Sequence, residues 1–215
     1  MPLILKESDR RFGQTIIWSL KEKQEFFENE LLKTPLDFSD IKDWNPQRQL
    51  EWLCGRYLIH RFQEIPVEKL SICENGKPDF LEEDRFLSIS HTDGLVGLQT
   101  HHLPVGLDIQ IVTEKIHRVA SKFCTERDYS LLGPYLDKRK IELITWNFKE
   151  AVYKAYGQGG VSYKDHILLK DVISKGSTLR FSISLKTPGA RKKYYGRTRT
   201  FGPYSMVQVV EQMDE

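Results

Sequence analysis

The feature that most constrains this chain is the apolar pattern that leads up to Gly157. Apolar residues recur at spacings of three and four through this stretch: Ile141, Ile144, Phe148, Ala151, Val152 and Ala155. This spacing puts them on one side of an α-helix, and a glycine just beyond the last of them is typical of a helix end. The sequence therefore predicts a long helix that buries an apolar stripe and stops at Gly157.

The same helix carries a polar cluster. Glu150 and Lys154 are four residues apart and lie one turn from each other, and Trp146 lies one turn before Glu150. The simplest interpretation is an exposed Glu-to-Lys pair worth roughly 0.3–0.5 kcal/mol. A carboxylate, an ammonium group and an aromatic ring on one side would also suit a functional site.

A second stretch favours the functional interpretation. Residues 105–112 have the pattern of a β-strand, in which Asp108 and Gln110 point to the same side of the sheet. Carboxylate and amide oxygens opposite a glutamate on a packed helix are hard ligands for a cation that also holds a phosphate. We therefore predict Asp108, Gln110 and Glu150 as metal ligands.

Together these stretches resemble the 4′-phosphopantetheinyl transferases, specifically the larger monomeric (Sfp-type) branch. That family has a G-x-D-x-(E or D) strand and a W-x-x-K-E-(A or S)-x-x-K-x-x-G helix. Here the strand is Gly106-Leu107-Asp108-Ile109-Gln110, and the helix motif extends from Trp146 to Gly157. The helix motif has many fixed positions, so chance agreement is improbable. The match departs from the family at Gln110, where a second acid is usual.

The resemblance implies an α+β fold of two similar α/β lobes related by a pseudo-twofold. Each lobe would be a small, mostly antiparallel sheet packed on a long helix, with a ligand cleft between the lobes. The sequence shows no internal repeat, so the two lobes follow from the resemblance alone. A change in composition at residues 101–104 places the N-terminal lobe, with coenzyme contacts, at residues 1–103, and the C-terminal lobe, with the metal site and catalytic helix, at 104–215.

The activity implied is that of a holo-[acyl-carrier-protein] synthase. Such an enzyme uses Mg²⁺ and coenzyme A to attach 4′-phosphopantetheine to a serine of an apo acyl or peptidyl carrier protein, and releases adenosine 3′,5′-bisphosphate. Asp108 and Glu150 would hold the ion with Gln110, Glu150 would take the serine proton, and Lys154 would contact a phosphate oxygen. Lys149 ranks below Lys154 for these roles. Because the amide of Gln110 brings no charge, weaker magnesium binding is expected.

Coenzyme contacts are implied at five further positions. Arg48 or Arg56 would contact the 3′-phosphate, with Arg48 preferred because it stands near the start of its helix. Lys77 belongs to a Gly-Lys-Pro turn and would reach the nucleotide phosphate, while Ser90 and His91 would bind the coenzyme's phosphates. Without the resemblance, the arginines would be surface residues, Lys77 part of a hairpin loop, and His91 an ordinary satisfied histidine.

The segment after the Asp108 strand is predicted to be an amphipathic helix from Thr113 to about Phe123. Its basic residues Lys115, Arg118 and Lys122 lie outside its apolar side. In the family this region docks the acidic carrier protein, so the resemblance implies docking near residues 113–124. An ordinary surface helix is the alternative.

The other elements follow from shorter patterns. Residues 12–18, 69–73, 85–90 and 95–100 are predicted strands, and Ser19 with Glu22 predicts a capped helix that buries Phe26, Phe27, Leu31 and Leu32. Asn45 and Pro46 predict the start of a second helix. Residues 167–173, 179–185, 194–200 and 204–210 predict an antiparallel sheet.

Composition narrows the class of protein. A net charge of +2 and a pI near 8.3 predict no nucleic-acid partner, and no run of 18 apolar residues predicts a membrane span. Three cysteines, Cys54, Cys73 and Cys124, lack C-x-x-C spacing and indicate neither disulfides nor zinc. A reducing cytoplasm fits these cysteines, whereas a monomer is implied only by the resemblance to the larger branch of the family.

Two other functions fit the same residues. The first is a catalytically weak or inactive module that binds coenzyme A or a carrier protein, which Gln110 alone supports. The second is a structural scaffold without a ligand. The presence of Asp108, Glu150, Lys154 and His91 favours the enzyme. The sequence leaves open which carrier protein is the substrate.

Overall fold

The structure is a computed structural model that describes residues 2–34, 39–63, 69–72, 78–80 and 84–213. The chain divides into two compact units, Met1–His102 and Leu103–Glu215. Each unit contains an antiparallel sheet and one long helix, which confirms the α+β class.

The first unit is built on a four-stranded sheet in the order β1-β2-β6-β5, with all neighbours antiparallel. A separate antiparallel pair joins β3 and β4. The strands are β1 Leu3–Asp9, β2 Gly13–Ser19, β3 Leu70–Ile72, β4 Pro78–Phe80, β5 Phe86–Thr92 and β6 Leu95–His101. The helices are α1 Gln24–Leu31 and α2 Pro46–Gln63.

Helix α2 starts where the sequence predicts. The Asn45 side chain accepts a hydrogen bond from the backbone N–H of Gln47 at 2.9 Å, and Pro46 is the first helical residue. The buried residues Leu53 and Leu58 then pack in the core of the first unit. The predicted start of this helix is confirmed.

Helix α1 differs from its prediction. It begins at Gln24 and not after Ser19, and its N-cap residue Lys23 has no acceptor in its side chain with which to cap the helix. Glu22, the expected partner of Ser19 in the capping box, instead accepts a hydrogen bond from the Trp18 indole at 3.1 Å. Leu32 is 68% exposed and Phe26 38% exposed, so the prediction that both are buried was wrong. Strand β1 was not predicted at all.

The second unit has a five-stranded antiparallel sheet in the order β7-β11-β10-β9-β8. Its strands are β7 Val105–Ile111, β8 Ile167–Lys175, β9 Thr178–Thr187, β10 Ala190–Phe201 and β11 Tyr204–Glu211. Its helices are α3 Glu114–Val119, α4 Glu126–Leu132 and α5 Lys138–Tyr156. The predicted sheet is therefore confirmed.

The predicted helix from Thr113 to Phe123 is shorter than expected. Helix α3 ends at Val119, and a 3-10 turn over Ala120–Lys122 follows. The backbone of Val119 has left the helical region, with φ −108° and ψ 6°, so regular α-helical bonding cannot continue past it.

Helix α5 covers one face of the second sheet. Phe148, Ala151 and Val152 are fully buried and share a core with Val207 and Val209 of β11. The helix stops at Gly157, which has a left-handed φ of 70° and donates its N–H to the carbonyl of Tyr153. The predicted helix, its stripe and its end are confirmed.

Gly106 sets how closely α5 approaches β7. A Cβ added at Gly106 would lie 1.7 Å from the Ala151 carbonyl oxygen and 3.0 Å from the Ala155 nitrogen. Only a residue without a side chain permits this contact between a helix backbone and a strand backbone. Residues two apart on a strand share a face, so Asp108 points towards the same helix.

A buried ion pair ties α5 to α4. Lys149 is fully buried, and its Nζ lies 2.7 Å from the Phe123 carbonyl oxygen, to which it donates, and 3.3 Å from Asp128 Oδ2. The same Asp128 oxygen accepts hydrogen bonds from the backbone and hydroxyl of Thr125, in a capping box at the start of α4. Burial lowers the pKa of Lys149, and Asp128 opposes that shift.

Within the described ranges, no helix is long and apolar enough to cross a membrane.

Replacing Gly106 with alanine should destabilise the second unit by at least about 3 kcal/mol, because backbone atoms of α5 cannot move away as a side chain would. The free energy of unfolding from a urea titration measures the effect. Gly189→Ala is the matched control, since nothing lies within 4 Å of the added Cβ. Equal stability of the two variants would contradict the close approach.

Replacing Lys149 with alanine should lower the free energy of unfolding by about 3 kcal/mol, because it leaves the carboxylate of Asp128 buried without its cation. Lys140→Ala serves as the control, since the ion pair of Lys140 with Asp137 on the same helix is exposed. Chemical denaturation of both variants checks the difference. A similar small effect in both would show that the buried pair does not stabilise the fold.

Candidate active site

Strand β7 and helix α5 bring Asp108 and Lys154 into contact. Lys154 Nζ lies 2.8 Å from Asp108 Oδ1 and donates a second hydrogen bond to the Leu107 carbonyl at 3.0 Å. The Asp108 side chain is only 2% exposed, whereas Lys154 is 26% exposed. The predicted strand residue and the predicted helix residue therefore form one partly accessible ion pair.

Glu150 lies one helical turn before Lys154 and is half-buried. Burial raises its pKa, and the nearby negative charge of Asp108 raises it further. The ammonium group of Lys154 and a hydrogen bond with the Tyr163 side chain act in the opposite direction. Two carboxylates thus share one region of low polarity with a single ammonium group.

Tyr163 is a site residue that the sequence analysis missed. Its hydroxyl is hydrogen-bonded to Glu150, and its ring lies 5.7 Å from the rings of both Trp146 and Tyr153. The Trp146 ring in turn lies 5.1 Å from Phe123. No spacing rule marks a single tyrosine after a Gly-Gly connector, so only the folded chain shows this role.

The loop that carries Tyr163 is held by its own hydrogen bonds. Ser162 donates its hydroxyl to Asp165 at 2.6 Å and its N–H to the His166 ring at 3.0 Å. The His166 carbonyl accepts from the backbone of Lys186 at 2.9 Å. This turn fixes the position of the tyrosine beside α5.

The residues at this site fit a hard cation. Asp108 and Gln110 lie two apart on β7, Gln110 is half-buried, and Glu150 follows on α5. Carboxylate and amide oxygens are ligands that Mg²⁺ accepts, and a divalent cation would relieve the repulsion that raises the pKa of Glu150. In the described part of the chain, no three His, Cys, Asp or Glu side chains cluster as a metal site.

Lys149, which the sequence ranked below Lys154, points away from this cluster. Its ammonium group is buried at Asp128 and the Phe123 carbonyl. It therefore cannot contact a substrate phosphate without breaking the fold.

The two arginine candidates of α2 differ in exposure. Arg48 is exposed, and its guanidinium group lies 4.3 Å from the Trp44 ring centroid. Arg56 is 8% exposed and stacks on Trp52 at 4.2 Å, and burial lowers its pKa to about 10. Arg56 is therefore not the surface residue that an arginine on a helix is expected to be.

Ser90 and His91, two further candidates for coenzyme contacts, also differ in exposure. Ser90 is 1% exposed, whereas the neighbouring side chain of His91 is 59% exposed because alternate residues of β5 face opposite sides. His91 Nδ1 lies 2.9 Å from Glu51 Oε2 of α2, a contact that the sequence did not predict. Lys77 lies outside the described residues.

The expected docking segment presents positive charge. Lys115, Arg118 and Lys122 are exposed. Beside them is a cleft of about 750 Å³ whose lining includes Arg118 and Lys138. At its wall, His117 Nδ1 lies 2.6 Å from the Glu142 carboxylate. The surface suits an acidic partner.

Comparison with known proteins agrees with the resemblance that the two motifs show. Residues 104–202 match the model of the 4′-phosphopantetheinyl transferase superfamily. The chain is 31% identical over 143 residues to the 4′-phosphopantetheinyl transferase gsp of Aneurinibacillus migulanus, and the match covers 65% of this chain and 56% of that protein. The resemblance seen in the strand and helix motifs is thereby confirmed: the range that matches the 4′-phosphopantetheinyl transferase superfamily lies within the second unit.

Proposed function

We propose that the protein transfers 4′-phosphopantetheine from coenzyme A to a serine of an apo carrier protein, as a holo-[acyl-carrier-protein] synthase does. The observation that carries this proposal is the Asp108–Lys154 ion pair beside the half-buried Glu150, inside the range that matches the superfamily. The pair holds an ammonium group next to two acids, and phosphoryl transfer uses groups of these kinds to neutralise phosphate charge and to hold a metal ion.

In this reaction the serine hydroxyl oxygen attacks the β-phosphorus of coenzyme A. A new phosphorus–oxygen bond forms, the pyrophosphate bond breaks, and adenosine 3′,5′-bisphosphate leaves. Glu150 accepts the serine proton, directly or through one water. Its raised pKa supports this role, because a base is most effective when its pKa approaches the working pH.

Lys154 neutralises negative charge on the pyrophosphate. Its hydrogen bonds to Asp108 and Leu107 fix its direction, and its partial exposure leaves it accessible to a phosphate oxygen. Asp108, Glu150 and the amide oxygen of Gln110 are the ligands for Mg²⁺. When bound, the ion polarises the phosphate oxygens and stabilises the charge that develops on them.

The first unit contributes the coenzyme contacts in this proposal. Exposure favours Arg48 over the buried Arg56 for the 3′-phosphate, and favours His91 over Ser90 for the pyrophosphate. A guanidinium fork suits phosphate oxygens better than a point charge does. Lys77 remains the candidate for the nucleotide phosphate.

Residues 113–124 are the proposed docking site for the carrier protein. The exposed cations Lys115, Arg118 and Lys122 give this segment a charge opposite to that of an acidic carrier. Phe123, next to this segment's end, contacts Trp146 on α5. Docking here would bring a carrier serine near the helix that carries Glu150.

The first test is the intact mass of an apo carrier protein after incubation with this protein, coenzyme A and Mg²⁺. We expect the carrier to gain the mass of one phosphopantetheine group. Glu150→Ala should lower the rate of this modification at least about a hundredfold. Asp171→Asn, which removes an exposed carboxylate of the same unit, should leave the rate unchanged.

Two negative results have different meanings. If several carriers gain no mass but coenzyme A still raises the melting temperature, the protein is a binding module and the transferase proposal fails. If coenzyme A does not raise the melting temperature either, the fold is a scaffold without this ligand.

Replacing Gln110 with glutamate should lower the Mg²⁺ concentration for half-maximal turnover by about tenfold, or about 1.4 kcal/mol, because the site gains a charged ligand. Gln110→Met has a similar size without the oxygen and should raise that concentration. Titration of turnover against Mg²⁺ compares the three proteins. Identical titration curves would exclude Gln110 from the metal site.

A further inference from the structure

Two side chains of the first unit that have no role so far, Gln47 and Glu51, are linked to His91. The carboxylate of Glu51 on α2 uses both oxygens: Oε1 accepts from the Gln47 amide at 2.9 Å, and Oε2 lies 2.9 Å from His91 Nδ1 on β5. The Glu51 side chain is 13% exposed and that of His91 is 59% exposed. A largely buried acid therefore holds a largely exposed imidazole.

This contact determines which ring nitrogen faces outward. A carboxylate accepts hydrogen bonds and cannot donate them, so the proton in the contact lies on His91 Nδ1. The other nitrogen, Nε2, is then the one available to a ligand. When Nε2 also carries a proton, the ring can donate to a phosphate oxygen while Glu51 compensates its positive charge.

Arg48 lies close to this arrangement. It stands three residues before Glu51 on α2, so the two side chains share one side of the helix. Arg48 is exposed, whereas both Glu51 oxygens are occupied by His91 and Gln47. The groups presented outward are thus a guanidinium and an imidazole, both donors that suit phosphate oxygens.

We propose that Glu51, itself held by Gln47, is a positioning residue that fixes His91 with Nε2 directed outward to a phosphate group of coenzyme A. This rests on the proposed function, which makes His91 a phosphate contact. Glu51 does not touch the coenzyme, and its effect passes entirely through the ring of His91.

The test compares Glu51→Ala, Glu51→Gln, His91→Ala and the double variant of Glu51→Ala with His91→Ala. We expect Glu51→Ala to raise the KM for coenzyme A about tenfold, a loss typical for a hydrogen bond to a charged group, with kcat changed less than about twofold. Glu51→Gln should recover part of the loss, because its amide oxygen still accepts from Nδ1. Once His91 is absent, removing Glu51 should have no further effect.

A structural role alone would give a different pattern. Glu51→Ala would then raise KM equally with or without His91, in parallel with a lower melting temperature, and the proposal would be overturned. Glu30→Ala, which removes a partly exposed carboxylate of α1 paired with Lys33 at 3.7 Å, is the control for the general effect of losing a negative charge.

Nitrogen NMR of the His91 ring without coenzyme tests the contact separately. The signal of a protonated Nδ1 should be present in the wild type and change in Glu51→Ala, and an unchanged ring spectrum would overturn the proposal. If the ring changes but neither Glu51→Ala nor His91→Ala alters coenzyme affinity, His91 is not a phosphate contact and the proposal fails. The mass assay with Glu150→Ala would still decide the transferase activity independently.

Discussion

The contact between the backbone of α5 and Gly106 is the constraint on which the second unit depends. The Ala151 carbonyl of α5 lies where any residue other than glycine at position 106 would place its Cβ. This close approach lets Lys154 reach both the Leu107 carbonyl and the Asp108 carboxylate. It also holds Glu150 near enough to Asp108 for their charges to repel. The glycine of the strand motif is therefore a packing requirement, and the charged residues of both motifs depend on it.

Adjacent residues of α5 serve different purposes. Lys149 is buried with Asp128 and secures the helix to the capping box of α4, whereas Glu150 turns towards Asp108, Lys154 and Tyr163. Consecutive helix residues differ in direction by about 100°, so the Lys149 side chain can pack in the core while the Glu150 side chain faces the candidate site. Burial lowers the pKa of the lysine and raises that of the glutamate, because it disfavours the charged form of each.

Much of the second unit could be predicted because its signals are local. The stripe from Ile141 to Ala155 and the glycine at 157 specify α5, and alternation specifies β7. The contacts that were missed join residues far apart in the chain: Tyr163 to Glu150, Glu51 to His91 and Lys149 to Asp128. Periodicity states which side a residue faces but not which partner it meets there. The burial of Arg56 shows the same limit, since its stacking on Trp52 depends on packing around α2.

The aromatic cluster of the second unit has a consequence for observing the protein at work. Trp146, one of four tryptophans, lies between Phe123, within the expected docking segment, and Tyr163, which is hydrogen-bonded to Glu150. Indole emission responds to movement of neighbouring rings and to changes in nearby charge. The chain therefore carries a built-in optical reporter whose surroundings include both the segment proposed to dock the carrier protein and the carboxylate proposed to act as the base, so that changes at either place can be followed in real time without a label.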